Sequence, residues 1–383
     1  MGLRSINNPK SSFDDPYAST GLEAYLPSNA YITGAWYGTY GIWAGGFRGA
    51  GGGDGTTNLI QYVTIANTGN AASGGSLTQA RQYLVGCSNG TRGLYMGGVA
   101  GNGVTDFNII DYLTCATPDG NATDFGDLTL KRAGVAAGCD GVRALCMGGY
   151  DAGNYQNIID YVAVAITGNA TDFGDLSTGA QSPTGTNDDT RGLFAGRESP
   201  FSNVIQYITI ATTGNSTDAG DLTRSVGAAA ACSNGTRAVF AGGNLGGGPR
   251  SNVIDYVTIQ TTNNATDFGD LTQSVQGCEG NDNSDGRGVV GGGWVGSSSN
   301  VIEYFDIATP GNATDFGDLT VSREYTAPAA NGARGTWSGG SDGNGGTNHN
   351  EIDYVTISTT GNATDFGDLT DPSFLLAGTS GDS

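Results

Sequence analysis

Apolar residues along this 383-residue chain come in short bursts, none longer than a strand, and the bursts repeat. The most regular burst reads "NIIDYLT", "NIIDYVAV", "NVIQYITI", "NVIDYVTI", "NVIEYFDI" and "EIDYVTI", where β-branched and aromatic residues favour extended backbone. Its tyrosine falls at Tyr62, Tyr112, Tyr161, Tyr207, Tyr256, Tyr304 and Tyr354, in steps of 50, 49, 46, 49, 48 and 50 residues. Three other phrases accompany it in fixed order. The first is rich in small residues, as in "RAGVAAGCDG" (Arg132 to Gly141). The second opens on arginine and closes on a glycine pair, as in "RGLYMGG" (Arg92 to Gly98). The fourth is "NATDFGDLT" (Asn121 to Thr129), whose Asn, Asp and Gly mark a tight turn before the leucine.

Four short strands, written seven times with no helical period, predict an all-β fold: a seven-bladed β-propeller of four-stranded blades. A solenoid is the competing arrangement. The small residues of the first phrase favour the propeller, because blades taper towards the axis, and a ring needs none of the capping repeats that a solenoid requires. Residues 30–370 are assigned to the propeller and 371–383 to a C-terminal tail or closing strand. "AYITGAWYGTYGIWAGG" (Ala30 to Gly46) fits the first two phrases and "SFLLAGTSG" (Ser373 to Gly381) fits a first phrase as well; the N-terminal stretch is preferred as the strand that closes blade 1, with the C-terminal one left as an extra edge strand. Residues 1–29 lie outside every unit, carry Pro9, Pro16 and Pro27 among Ser and Asn, and read as an extended docking arm.

Composition agrees with turn-rich β structure: 67 glycines without a period of three, and 37% hydrophobic residues. The net charge of −21, from 37 acidic and 16 basic residues with Lys10 and Lys131 the only lysines, makes nucleic acid and anionic membrane poor partners. No apolar stretch is long enough to span a membrane, and the first twenty residues lack the apolar core of a secretory signal.

A glycine pair closing one strand, a tyrosine in the next and an aromatic near the fourth resemble the kelch repeat, over about residues 30 to 370. The kelch tryptophan is replaced by Phe125, Phe173, Phe268, Phe316 and Phe366, with Ala219 in the fourth unit. The wording "DYVTIxTTGNATDFGDLT" also resembles tandem-repeat structural proteins of tailed phages, marine and cyanobacterial ones in particular. That resemblance implies a non-enzymatic virion component of tail, fibre or capsid decoration, made in the bacterial host cytoplasm. Residues 1–29 would then dock to other virion proteins and copies of the chain would associate within the particle. A carbohydrate-binding lectin or adhesin, reading a host-surface glycan, is the alternative.

No catalytic constellation is expected. The five "DFG" triplets lack every other kinase element. His349 is the only histidine, too few for a copper site of the kelch-oxidase kind, and no G-x-S-x-G elbow is present to make it part of a triad. Paired aspartates of T-D-x-G-D, such as Asp172 and Asp175, are read as turn caps ahead of calcium ligands, and no other cofactor or metal is expected. The six Asn-x-Thr sequons (Asn121, Asn169, Asn215, Asn264, Asn312, Asn362) are read as turn residues. Cys87, Cys139 and Cys232 read as small apolar fillers of the first phrase. The arginines opening the second phrase, among them Arg92, Arg143 and Arg237, are expected to pair with repeated aspartates between blades. The variable segment is the loop between the second and third strands. It emerges on one face in every blade, and its Phe47, Arg48, Phe107, Tyr150, Tyr155, Phe201, Arg250 and Trp294 are the candidate binding residues.

Overall fold

The computed structural model describes residues 31–32, 38–49, 55–101, 105–181, 183–197, 201–282, 286–343 and 346–381. The docking arm assigned to residues 1–29 lies outside the described residues. Each burst of the sequence is a strand, and each set of four strands is one antiparallel blade. Blade 2 shows the pattern: Val85–Ser88 innermost, then Arg92–Met96, Ile109–Thr114, and Thr123–Asp127 outermost. The innermost strands adjoin one another in chain order around the axis, so the protein is a seven-bladed β-propeller.

Taper explains the small residues of the first phrase. A Cβ on Gly86 would lie 2.7 Å from the carbonyl oxygen of Gly378 on the neighbouring innermost strand. Further out, the second and third strands are covered on both faces, which is why "RGLYM" is buried beyond its arginine and Ile110, Asp111 and Leu113 of "IIDYLT" are buried. The apolar core is therefore divided among the seams. Leu94, Ile110, Phe125 and Leu128 of blade 2 pack on Val135, Ala137, Ala144 and Val162 of blade 3, and each of the other six seams holds an equivalent cluster.

The D-F-G triplet is a β-bulge. Ile110 pairs with Gly126 and Asp111 with Asp124, leaving Phe125 as the extra residue. That residue turns inward, 2% exposed, and meets the Tyr112 ring edge-on at 5.7 Å between centroids. Asp124 Oδ1 accepts the Gly126 N–H at 3.0 Å and fixes the turn. Gly126 has φ 143°, and a Cβ there would lie 2.5 Å from the carbonyl of Gly168 in blade 3. Only glycine meets both conditions.

Ring closure differs from the sequence expectation. The innermost strand of blade 1 is Ala377–Gly381, paired antiparallel to Tyr40–Ala44. The N-terminal stretch supplies the second strand, Tyr40–Ala44, as its second phrase leads one to expect, but not the innermost one: its Tyr31–Ile32 lies parallel to Ala137 and Gly138 of blade 3.

Candidate functional site

Up-and-down strand order puts two kinds of connection on each end of the ring. The loops between second and third strands share one end, the loop face, with the linkers that enter the next blade. The tight turns, with the second-phrase arginines and the asparagines of the fourth phrase, occupy the opposite back face.

On the back face the arginine guanidiniums bridge blades through carbonyls, where pairing with aspartates was expected. Arg92, Arg143, Arg191, Arg237, Arg287 and Arg334 each reach across a seam and donate to a backbone carbonyl at the end of the next blade's third strand, for example Arg92 to Val164 at 2.9 Å. Each guanidinium also lies over the tyrosine of its own blade, with Tyr112, Tyr161, Tyr207, Tyr256, Tyr304 and Tyr354 at 3.9 to 4.9 Å from the ring centroid. Strand geometry is the reason: the arginine opens the second strand at its back-face end, opposite the residue that closes the third. In blade 1, Tyr40 takes the arginine's place and meets Tyr62 edge-on at 5.8 Å.

The asparagine of "NATDFGDLT" is a staple. Its side-chain oxygen accepts an N–H from the outer strand of the preceding blade, as Asn169 does from Asp127 at 3.1 Å. Asn121, Asn215, Asn264, Asn312 and Asn362 repeat the bond, and Asn70 completes the ring by taking the Asp368 N–H.

The aspartate that precedes the ruler tyrosine has a buried arginine partner, which sequence reading missed. Arg81 pairs with Asp111 at 2.8 Å, Arg132 with Asp160 at 2.9 Å and Arg323 with Asp353 at 2.9 Å, all six side chains with no exposure. Arg224 with Asp255, at 2.6 Å, is the fourth such pair. The arginine comes from the linker and the aspartate from the third strand of the blade it enters. The linker threonine closes the clamp: Thr78 donates both its N–H and its hydroxyl to Asp111. A signal was present in the repeat. Arg81, Arg132 and Arg323 stand four residues after the leucine of the fourth phrase, and Arg224 two after. Where that linker has no arginine, the third strand carries Gln61, Gln206 or Glu303.

Burial sets the ionisation of these groups. It pulls the Arg81 and Arg323 guanidiniums down from their ordinary range, and the aspartate partners oppose it. Glu303, which accepts the Thr272 N–H with Val275 where an arginine stands in other linkers, is pushed up by burial. Burial also raises Glu324 to about 8, against the pull of Arg250.

The eight candidate binding residues share the loop face but form no single site. Phe47 is 5% exposed and meets Phe374 edge-on at 5.7 Å, while Arg48 pairs with Asp371 at 3.0 Å; together they tie the blade 1 loop to the closing segment. Phe107 is half-buried, and its N–H donates to Gly98 at 2.8 Å. Tyr150 and Tyr155 face each other on a two-residue ladder, ring centroids 5.5 Å apart. Phe201 of blade 4 covers Gly246 of the blade 5 loop, and Trp294 of blade 6 covers Gly343 of the blade 7 loop, where a Cβ would fall 2.3 Å from the indole. Arg250 is half-buried beside Glu324. His349 bridges two carboxylates of its own blade, Nδ1 to Glu351 at 3.0 Å and Nε2 to Asp342 at 2.6 Å. Burial alone would raise the Glu351 carboxyl, yet a backbone hydrogen bond, His349 and Arg323 hold it below the usual range.

No protein-family model matches the chain, and no curated protein matches it. Among solved structures it is similar to one described as "Structure of YjhT", at a TM-score of 0.59 and 12% identity over 76% of this chain and 98% of that one. At that identity the likeness is one of fold.

Proposed function

We propose that the chain is a non-enzymatic structural protein of a tailed-phage virion, made in the host cytoplasm. It is read as a kelch-like propeller that presents its loop face to a partner or host surface while residues 1–29 dock to neighbouring virion proteins. One observation carries the reading: the wording the repeat holds constant is engaged in holding blade to blade. Asparagine staples, arginine bridges and bulge glycines all serve the seams, and the blades differ most in their loops. A scaffold of that kind is suited to presenting surfaces. Deleting residues 1–29 is expected to leave a folded propeller that no longer joins particles, and continued incorporation would overturn the docking role. Cryo-electron microscopy of intact particles, searched for a seven-bladed ring at defined symmetry, tests the virion assignment directly.

The Tyr150–Tyr155 pair favours a second reading as a carbohydrate-binding lectin or adhesin, since adjacent half-buried rings provide a stacking surface for a sugar. Glycan-array binding that disappears in Tyr155→Ala and Trp294→Ala supports it. Silence on the array counts against it.

A further inference from the structure

Blade 3 breaks the chemistry of the back face in one place. Val142 is 69% exposed and Ile166 72% exposed; among the described residues, only Leu245 joins them as an exposed large hydrophobic. The two adjoin: the Val164 N–H donates to the Val142 carbonyl, and the Ile166 N–H to that of Ala163, which is paired with Arg143. The other blades show what the fold itself asks of these positions. The residue equivalent to Val142 is Thr39, Thr91, Thr190, Thr236, Gly286 or Ala333. The equivalent of Ile166 is Asn67, Thr117, Thr212, Thr261, Thr309 or Thr359, and the threonines keep the same backbone bond as Ile166. Ala163 likewise stands where five blades have threonine and the sixth aspartate. Three ordinarily polar positions have thus turned apolar together on one blade, at no evident gain to the fold.

The rim of this patch is acidic. Asp140 lies two residues before Val142 and accepts its N–H at 2.9 Å. Asp188 and exposed Asp189 of blade 4 stand beside it, close enough that both Asp188 and Asp140 add to burial in raising the Asp189 carboxyl. The nearby cations, Arg92 and Arg143, are each engaged with a carbonyl and a tyrosine ring. A ligand for this surface is apolar and basic. In a chain of net charge −21, the first ten residues, "MGLRSINNPK", combine Leu3 and Ile6 with Arg4 and Lys10 and contain no acid.

We propose that Val142, Ala163 and Ile166, with their aspartate rim, form a docking surface for residues 1–10 of a second copy of this chain. The direction of Tyr31–Ile32 favours a neighbouring copy as donor. That strand runs parallel to Ala136–Cys139 towards the back face, so its N-terminal end points to the loop face, away from the chain's own patch. The contact is head-to-tail, loop face to back face, and stacks one ring on the next. It deepens the arm-docking part of the proposed function by naming the arm's receptor, and does not depend on the particle in which the stack is used.

The test is a pair of variants: one whose threonines the other blades already carry at the same positions, and one outside the blades. Sedimentation velocity of the full chain from low to high micromolar is expected to show concentration-dependent association. Val142→Thr with Ile166→Thr should abolish it while leaving the melting temperature in place, and Arg4→Glu with Lys10→Glu should do the same from the other side. A fluorescent peptide of residues 1–10 should bind protein lacking those residues roughly tenfold or more weakly after the threonine substitutions. A wild-type chain that stays monomeric, or peptide affinity unchanged in the threonine variant, overturns the proposal. Self-association without particle incorporation would count against the virion reading alone.

Discussion

Replacing Arg81 by alanine removes the partner of a carboxylate that has no access to water. Asp111 and Arg81 are 2.8 Å apart with neither side chain exposed, and Arg81 also donates to the Tyr95 carbonyl at 3.1 Å. Breaking a buried pair from one side costs about 3–5 kcal/mol, because the remaining charge stays desolvated with only the two Thr78 donors to meet it. The chain already contains a seam built without the pair: between blades 3 and 4, Ala180 stands at the arginine's position and Gln206 at the aspartate's, and Gln206 accepts the Ser177 N–H at 2.7 Å. Arg81→Ala with Asp111→Gln recreates that seam. The double variant is expected to lose only about 1–2 kcal/mol, the residue of unfilled volume and a lost carbonyl bond. The coupling, about 2 kcal/mol or more, is read from urea midpoints followed by tryptophan fluorescence across the two single variants and the double. Equal destabilisation of Arg81→Ala and the double variant would show that the linker arginine acts by filling space, and the clamp argument would fail.

Gly126→Ala should destabilise by about 1–3 kcal/mol, since it strains a left-handed residue and drives apart the outer strands of blades 2 and 3. Gly120→Ala, where a Cβ meets nothing within 4 Å, should stay within about 0.5 kcal/mol, both variants being compared by urea midpoint. Ending the chain after Thr370 removes the innermost strand of blade 1 and leaves an unpaired edge, so this truncation should aggregate or lose its cooperative melt; a sharp transition at the wild-type temperature would contradict the closure described above. Glu324 titrates at about 8 when folded, above its unfolded value, so its contribution is complete at acid pH and is lost as pH rises towards 8. Glu324→Gln should therefore flatten the pH dependence of the urea midpoint between about 4.5 and 8, and an unchanged slope would refute that assignment.

Local pattern determined a great deal on its own. The tyrosine ruler and the order of the four phrases gave the number of blades, the strands within each and which strand lies innermost, because strand formation and taper depend on residue types close together in sequence. The asparagines, read as turn residues, instead accept an N–H from the preceding blade, a contact that no local pattern announces. What the tertiary structure decided is where groups distant in sequence meet. Ala30 to Gly46 and Ser373 to Gly381 both offered a first phrase, and only the pairing across the ring put Ala377–Gly381 innermost, beside Tyr40–Ala44. Arg92 carried the expectation of an aspartate partner, but strand register sets it opposite a carbonyl 72 residues on, while the aspartates go to linker arginines. Trp294 and Phe201 looked free in their loops until the adjoining blades placed Gly343 and Gly246 beneath them. Val142 and Ile166 were two unremarked apolar residues until the fold set them side by side in water. A sequence lists which side chains are available, and the closed ring, by fixing which blade faces which, assigns their partners.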